Sequence, residues 1–219
     1  MVEIYDAHEQ GEVVKKWLQE NGSAIVKGLV IAFGGLFGFK QWQSWQETNR
    51  QTASVEFEVM DQLLAAGQLD AAMSNFQNLQ DEYTQSPYTS MAALKMARAR
   101  IDVNQPDLAI GLYQYVVDNG YPKALSVVAR ERLARVLLDQ GRADEALQTL
   151  NGADDIRGFE ARFAEVRGDI HLSQGRNEEA VAAYQEALDQ LEANVGDRSM
   201  LLMKLQALGA TLPDDGIES

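Results

Sequence analysis

LLDQGRADEAL (137–147) and HLSQGRNEEAV (171–181) carry the same residue at six corresponding positions. Leu138, Gln140, Gly141, Arg142, Glu145 and Ala146 recur as Leu172, Gln174, Gly175, Arg176, Glu179 and Ala180, each 34 residues later. A constant offset of this size marks one helical hairpin stacked repeatedly on itself. The pattern continues towards the N-terminus. VNQPDLAIGLY (103–113) puts Asn104 and Ala109 in the same two slots, and AGQLDAAMSNF (66–76) puts Gly67 and Ala72 there, at offsets of 37 residues.

Each slot has a physical reason. Gly67, Asn104, Gly141 and Gly175 are residue types that tolerate the left-handed backbone ending a helix. Five residues on, Ala72, Ala109, Ala146 and Ala180 are each followed four residues later by a large side chain: Phe76, Tyr113, Leu150 or Tyr184. The small residue lets the two helices of a pair approach, and the large one fills the gap to the next pair. Ala97, Ala134 and Gly168 lie twelve residues before that Ala; Met60 takes the place in a degenerate first repeat. Thirty-four residues is the period of the tetratricopeptide repeat.

The expected fold class is therefore all-α: a single N-terminal transmembrane helix, then a tetratricopeptide-like solenoid of about four hairpins plus a capping helix. The periodicity predicts helices near 43–66, 68–83, 87–103, 106–118, 123–140, 142–151, 158–174, 177–193 and 197–208. The last, DRSMLLMKLQAL, covers the open end of the stack, and 211–219 is expected to be disordered. The three additional residues of the longer repeats are expected in the links DEYTQSPY (81–88) and DNGYPK (118–123).

Upstream of the repeats, GSAIVKGLVIAFGGLFGF (22–39) carries one charge, Lys27. As a helix it would span about 27 Å, close to the hydrocarbon thickness of a bilayer. A buried core helix would show an apolar stripe, whereas this run is apolar on all sides. It also holds Gly28, Gly34, Gly35 and Gly38, which are costly in soluble helices and common in membrane ones. Lys40, Trp42 and Trp45 follow as interfacial anchors. The long acidic segment ahead of it and the lack of an A-x-A site argue against a cleaved signal peptide. Gly34 and Gly38 form a GxxxG pair that could pack a second helix closely. Charge counting leans only slightly towards an N-terminus inside the cell.

Composition narrows the chemistry. The 219 residues have a formal net charge of -14, 0 Cys and 2 His. Disulfides, thiolate metal sites and a Cys nucleophile are excluded, and nucleic-acid binding is disfavoured because phosphates call for Lys and Arg. Residues 46–219 hold nearly all the acidity, with 28 acids and 15 bases. His171 occupies the slot of Leu137 one repeat earlier and is two residues from Asp169, about 200° round a helix. It reads as a packing or half-buried histidine. No phosphate-binding, dinucleotide, esterase or zinc-protease motif occurs. The sequence indicates no enzyme and no cofactor.

Interaction residues are sought on the first helices, which line the concave face of such a solenoid. By repeat position these are Leu94, Arg98, Glu131, Arg135, Glu165 and Asp169. Their rival reading is a solvated face with i,i+4 ion pairs such as Glu131–Arg135. Glu131 and Glu165 stand where a carboxylate-binding clamp would need cations, so capture of a partner's C-terminal carboxylate is not expected.

With these pieces placed, the chain resembles the YfgM family, the ancillary subunit of the SecYEG translocon. The resemblance rests on EIY (3–5), VVKKWLQENG (13–22), the Gly-rich span, GFKQW (38–42) and LARVLLDQGRADEAL (133–147), and reaches to about residue 210. It implies a bacterial inner-membrane protein with a cytoplasmic tail (1–21), a transmembrane helix with interfacial Trp (22–45), a periplasmic repeat domain (46–210) and an acidic tail (211–219). It further implies association with the lipid bilayer, the SecYEG channel and a membrane-anchored periplasmic chaperone like PpiD, and assistance to unfolded secretory clients leaving the channel. It brings no catalytic residues. The competing expectation is a membrane-anchored repeat adaptor of another envelope or cytoplasmic complex.

Overall fold

The computed structural model of the chain describes residues 7–191 and 198–210, all its regular elements being helices. These are α1 (Ala7–Ala65), α2 (Leu69–Glu82), α3 (Pro87–Asp102), α4 (Pro106–Asn119), α5 (Lys123–Asp139), α6 (Ala143–Asn151), α7 (Glu160–Ser173), α8 (Asn177–Gln190) and α9 (Arg198–Ala207). The chain divides into two compact units, Met1–Gln51 and Thr52–Ser219, and α1 runs through the boundary.

In the first unit α1 begins at Ala7, so most of the segment expected as a tail is already helical. Val30, Ile31, Phe33, Leu36 and Phe37 are all exposed. At 100° per residue they point in every direction round the axis. A Cβ added at Gly28, Gly34, Gly35 or Gly38 would meet open space. Among the described residues, α1 is the one helix long and apolar enough to cross a membrane.

In the second unit the last turns of α1 act as the first helix of the first hairpin. Ala53 and Met60 are buried, and Asn75 Nδ2 donates to Glu56 Oε2 at 2.8 Å. The pairs α1/α2, α3/α4, α5/α6 and α7/α8 then repeat, each turned by one structure. Gly67, Asn104, Gly141 and Gly175 have φ of 73°, 58°, 73° and 72°. The residue after each donates its N–H to the carbonyl five residues back, as Arg142 does to Leu137 O at 2.8 Å and Arg176 to His171 O at 2.9 Å. The turn residue itself donates to the carbonyl three back, satisfying a second of the carbonyls a helix end leaves open.

The small and large slots pack as their chemistry requires. Ala72, Ala109, Ala146 and Ala180 are fully buried, with Phe76, Tyr113, Leu150 and Tyr184 beside them in the core. A Cβ on Gly168 would collide with the Tyr184 ring, so that position has no room for even Ala. Two hydroxyls in equivalent positions close the hairpin junctions. Thr89 Oγ1 donates to Tyr83 O at 2.6 Å, and Ser126 Oγ to Gly120 O at 3.3 Å. Each satisfies a carbonyl just past the preceding second helix.

One expectation is corrected. The longer repeats hold their additional residues in helix, not in links. α2 and α4 each run 14 residues and are followed by the short links 83–86 and 120–122, whereas α6 stops after 9 residues and is followed by the longer link 152–159. In that link Gly152 sits against the Arg130 guanidinium, which donates to Thr149 O at 2.9 Å and ties off the short helix. The expected capping helix is present as α9, with Leu201 and Leu205 buried against Ala164, Ala180, Tyr184 and Leu188. The tail read as disordered lies outside the described residues.

Candidate interaction site

The six residues expected on the concave face lie ten and six positions before successive inter-helix turns. Those two slots stand one helical turn apart on the same face. Leu94 and Arg98 belong to α3, Glu131 and Arg135 to α5, and Glu165 and Asp169 to α7. The structure gathers four of the six. Arg135 Nε donates to Glu131 on its own helix, Nη2 donates to Glu165 Oε2 across to α7 at 3.3 Å, and Nη1 lies 3.6 Å from Asp169 Oδ2. Leu94 is a core residue, 7% exposed. Arg98 points to solvent and pairs with Asp102 on its own helix at 2.9 Å.

Two residues join the cluster that the repeat pattern did not nominate. Lys204 Nζ on α9 donates to Glu165 Oε1 and Asp169 Oδ1, both at 2.7 Å. Its ammonium also lies 5.3 Å from the centre of the Tyr184 ring, a cation–π distance. Tyr184 Oη donates to Asp169 Oδ1 at 2.8 Å. A signal for Lys204 did exist. It lies five residues before Gly209, where the earlier repeats carry Ala99, Val136 and Ile170 before their turns. The first repeat has Gln62 there, but a charge in a slot that is apolar in the next three calls for a partner.

The resulting network has three carboxylates and two cations on α5, α7 and α9, with the Tyr184 phenol joining from α8. Burial works against the Arg135 cation, but its hydrogen bond to Glu131 and the fields of Glu131, Glu165 and Asp169 outweigh it and raise its pKa. Burial likewise disfavours ionised Glu165, yet Lys204 and then Arg135 hold its pKa below the usual value. Tyr184 is pushed up, first by burial and then by Asp169. All three shifts keep the pairs charged and the phenol protonated at neutral pH.

Beside the network an open cleft of about 250 Å³ is walled by Ala161, Leu191 and Met200, with Glu131, Arg135 and Glu165 on its charged side. Its mixture of apolar wall and fixed charges suits one amphipathic side chain of a polypeptide. His171 sits apart, at the end of α7, half-buried, its Nδ1 enclosed without a partner. Burial and then Arg176 lower its pKa. No group of three or more metal-type ligands occurs among the described residues.

A stack of helical hairpins tied by an interhelical charge network, carried behind a membrane-length helix, defines a tetratricopeptide-type scaffold. A family model for the tetratricopeptide repeat-like domain matches residues 15–210. The ancillary SecYEG translocon subunit of Escherichia coli K12 is 29% identical over 210 residues, covering 94% of this chain and 99% of the relative. That of Aggregatibacter actinomycetemcomitans is 30% identical over 208 residues, covering 93% and 99%. Among solved structures, a crystal structure of MamA superposes with a TM-score of 0.50 at 18% identity, over 63% of this chain and 77% of that one, a likeness of fold. The chain therefore belongs to the tetratricopeptide repeat-like family, among the ancillary SecYEG translocon subunits.

Proposed function

We propose that this chain is a non-enzymatic ancillary subunit of the SecYEG translocon. One observation carries the reading: relatives named for that role align over both the apolar helix and the repeats, almost end to end. In this reading residues 22–45 cross the inner membrane once, 1–21 face the cytoplasm and 46–210 stand in the periplasm. Gly34 and Gly38 offer a close-packing face towards a channel helix. The residues Glu131, Arg135, Glu165 and Asp169, with Arg98 on the preceding hairpin, form the side on which a PpiD-like chaperone or an emerging client is received. Recruitment beside the channel exit raises the local concentration of chaperone where unfolded segments appear.

Mild crosslinking in membranes, followed by purification of the chain in detergent, tests the reading. Channel subunits and the chaperone should co-purify in defined proportion, and a reporter fused after Ser219 should be active in the periplasm. An eluate without channel, or a cytoplasmic reporter, would sink it.

A further inference from the structure

The first hairpin lacks a cover that the second and third hairpins and the capping helix have over the same slots; in α7 the two slots hold the polar, partly buried Arg167 and His171. In α3, α5 and α9 the residues eight and four positions before the turn are buried: Met96 and Arg100, Leu133 and Leu137, and Leu201 and Leu205, the last two packed on the preceding hairpin. Ala92, Ala129 and Phe163, twelve before the turn, are buried in the same way. In the first repeat these slots are Val55, Val59 and Leu63. Here no preceding hairpin covers them. Val55 is 60% and Val59 42% exposed, and Leu63 is partly buried. An end hairpin of a solenoid needs a polar outer face or a cover, and two valines on this face supply no polarity. The α9 end does have such a cover, so the two ends are built differently.

We propose that the Val55–Val59–Leu63 face is a docking site for an amphipathic helix of a partner protein, seated as a second helix sits on the following first helix inside the stack. The internal hairpins state the occupant's apolar side: a small residue, a large one four later, and aliphatic residues three or four beyond that, as in Ala109, Tyr113, Val116 and Val117 of α4. Charge states its edge. Glu58 is exposed beside the valines, and α2 of the same hairpin carries Asp70, Asp81 and Glu82 and no Lys or Arg. A helix with Lys or Arg along one edge complements that field, and an anionic lipid surface does not. The site lies at the end of the stack, apart from the concave cluster, so it stands or falls independently of the function proposed above.

The test uses the full chain in detergent micelles and a fluorescent peptide copying residues 104–119, with Asp107→Lys and Asp118→Lys in the peptide. Anisotropy should show saturable binding. Val59→Asp should weaken it at least tenfold, while Val103→Asp, at an exposed valine elsewhere, should leave it unchanged. The peptide with its original Asp residues should bind several-fold more weakly. A second measurement exploits the 0 Cys of the chain. In a Val59→Cys variant the peptide should slow alkylation of the introduced thiol, and phosphatidylcholine vesicles should not. Equal binding by wild type and Val59→Asp, or no binding, overturns the proposal. So does thiol-linked homodimer formation, which would make a second copy the occupant, or protection by lipid alone.

Discussion

Arg98 and Arg135 occupy the same slot, six residues before an inter-helix turn, on neighbouring first helices. They end in different surroundings. The Arg98 side chain is 72% exposed and pairs within its own helix, whereas Arg135 reaches across to Glu165 and Asp169 on α7. The cause lies one repeat ahead. Arg135 looks towards two carboxylates, and Lys204 from α9 supplies the second cation those acids need. For Arg98 the equivalent slots one repeat ahead hold Glu131, which Arg135 already holds, and Arg135 itself. One register thus produces a solvated pair in one hairpin and an interhelical tie in the next.

The sharpest way to break the contrast is at its aromatic centre. Tyr184→Ala removes the ring that Gly168 accommodates and the hydroxyl that holds Asp169. Urea unfolding should show a loss of about 3–5 kcal/mol. Gly168→Ala tests the same contact from the other side. Its methyl has nowhere to go, so the loss should be about 1–3 kcal/mol from overpacking, in a slot where Ala97 and Ala134 are native.

Lys204→Ala should cost about 1–3 kcal/mol, since it leaves two partly buried carboxylates short of a charged donor. It should also flatten the acid response. The folded-state pKa of Glu165 is lowered, so its stabilisation is fully present above the unfolded carboxylate value of about 4.3 and is lost as pH falls through the folded value. The wild-type chain should therefore lose stability below about pH 4.3 more steeply than the variant, as followed by thermal unfolding at stepped pH. At the bottom of the scale, Arg98→Ala should shift stability by no more than about 0.5 kcal/mol, because an exposed i,i+4 pair contributes little. A larger effect would show that the Arg98 and Arg135 sites are more alike than their geometry indicates.

Much of this molecule was legible beforehand because its signals are local. The turn residues were identifiable from Gly and Asn at a fixed period, and all four hold the left-handed backbone. The membrane-length helix needed only a count of apolar residues. The links misled because hydrophobic spacing cannot say whether three residues extend a helix or a loop: α6 ends early where Arg130 caps it. Of the six concave positions, Leu94 shows the weakness of register alone. Its slot faces inward, but an aliphatic side chain there joins the core, while the Glu at the same slot in α5 stays beside Arg135.

Sequence by itself determined the helices, their pairing order, the turn chemistry and the small-to-large packing code, since each depends on residues within a few turns of one another. Only the tertiary structure decided which charges meet. Lys204 and Glu165 are 39 positions apart, Arg135 and Glu165 are 30 apart, and whether they touch depends on how one helix crosses the next. It also decided that Val55 and Val59 lie open. Their pattern matches the buried slots of the second and third hairpins, and exposure follows from having no hairpin before them.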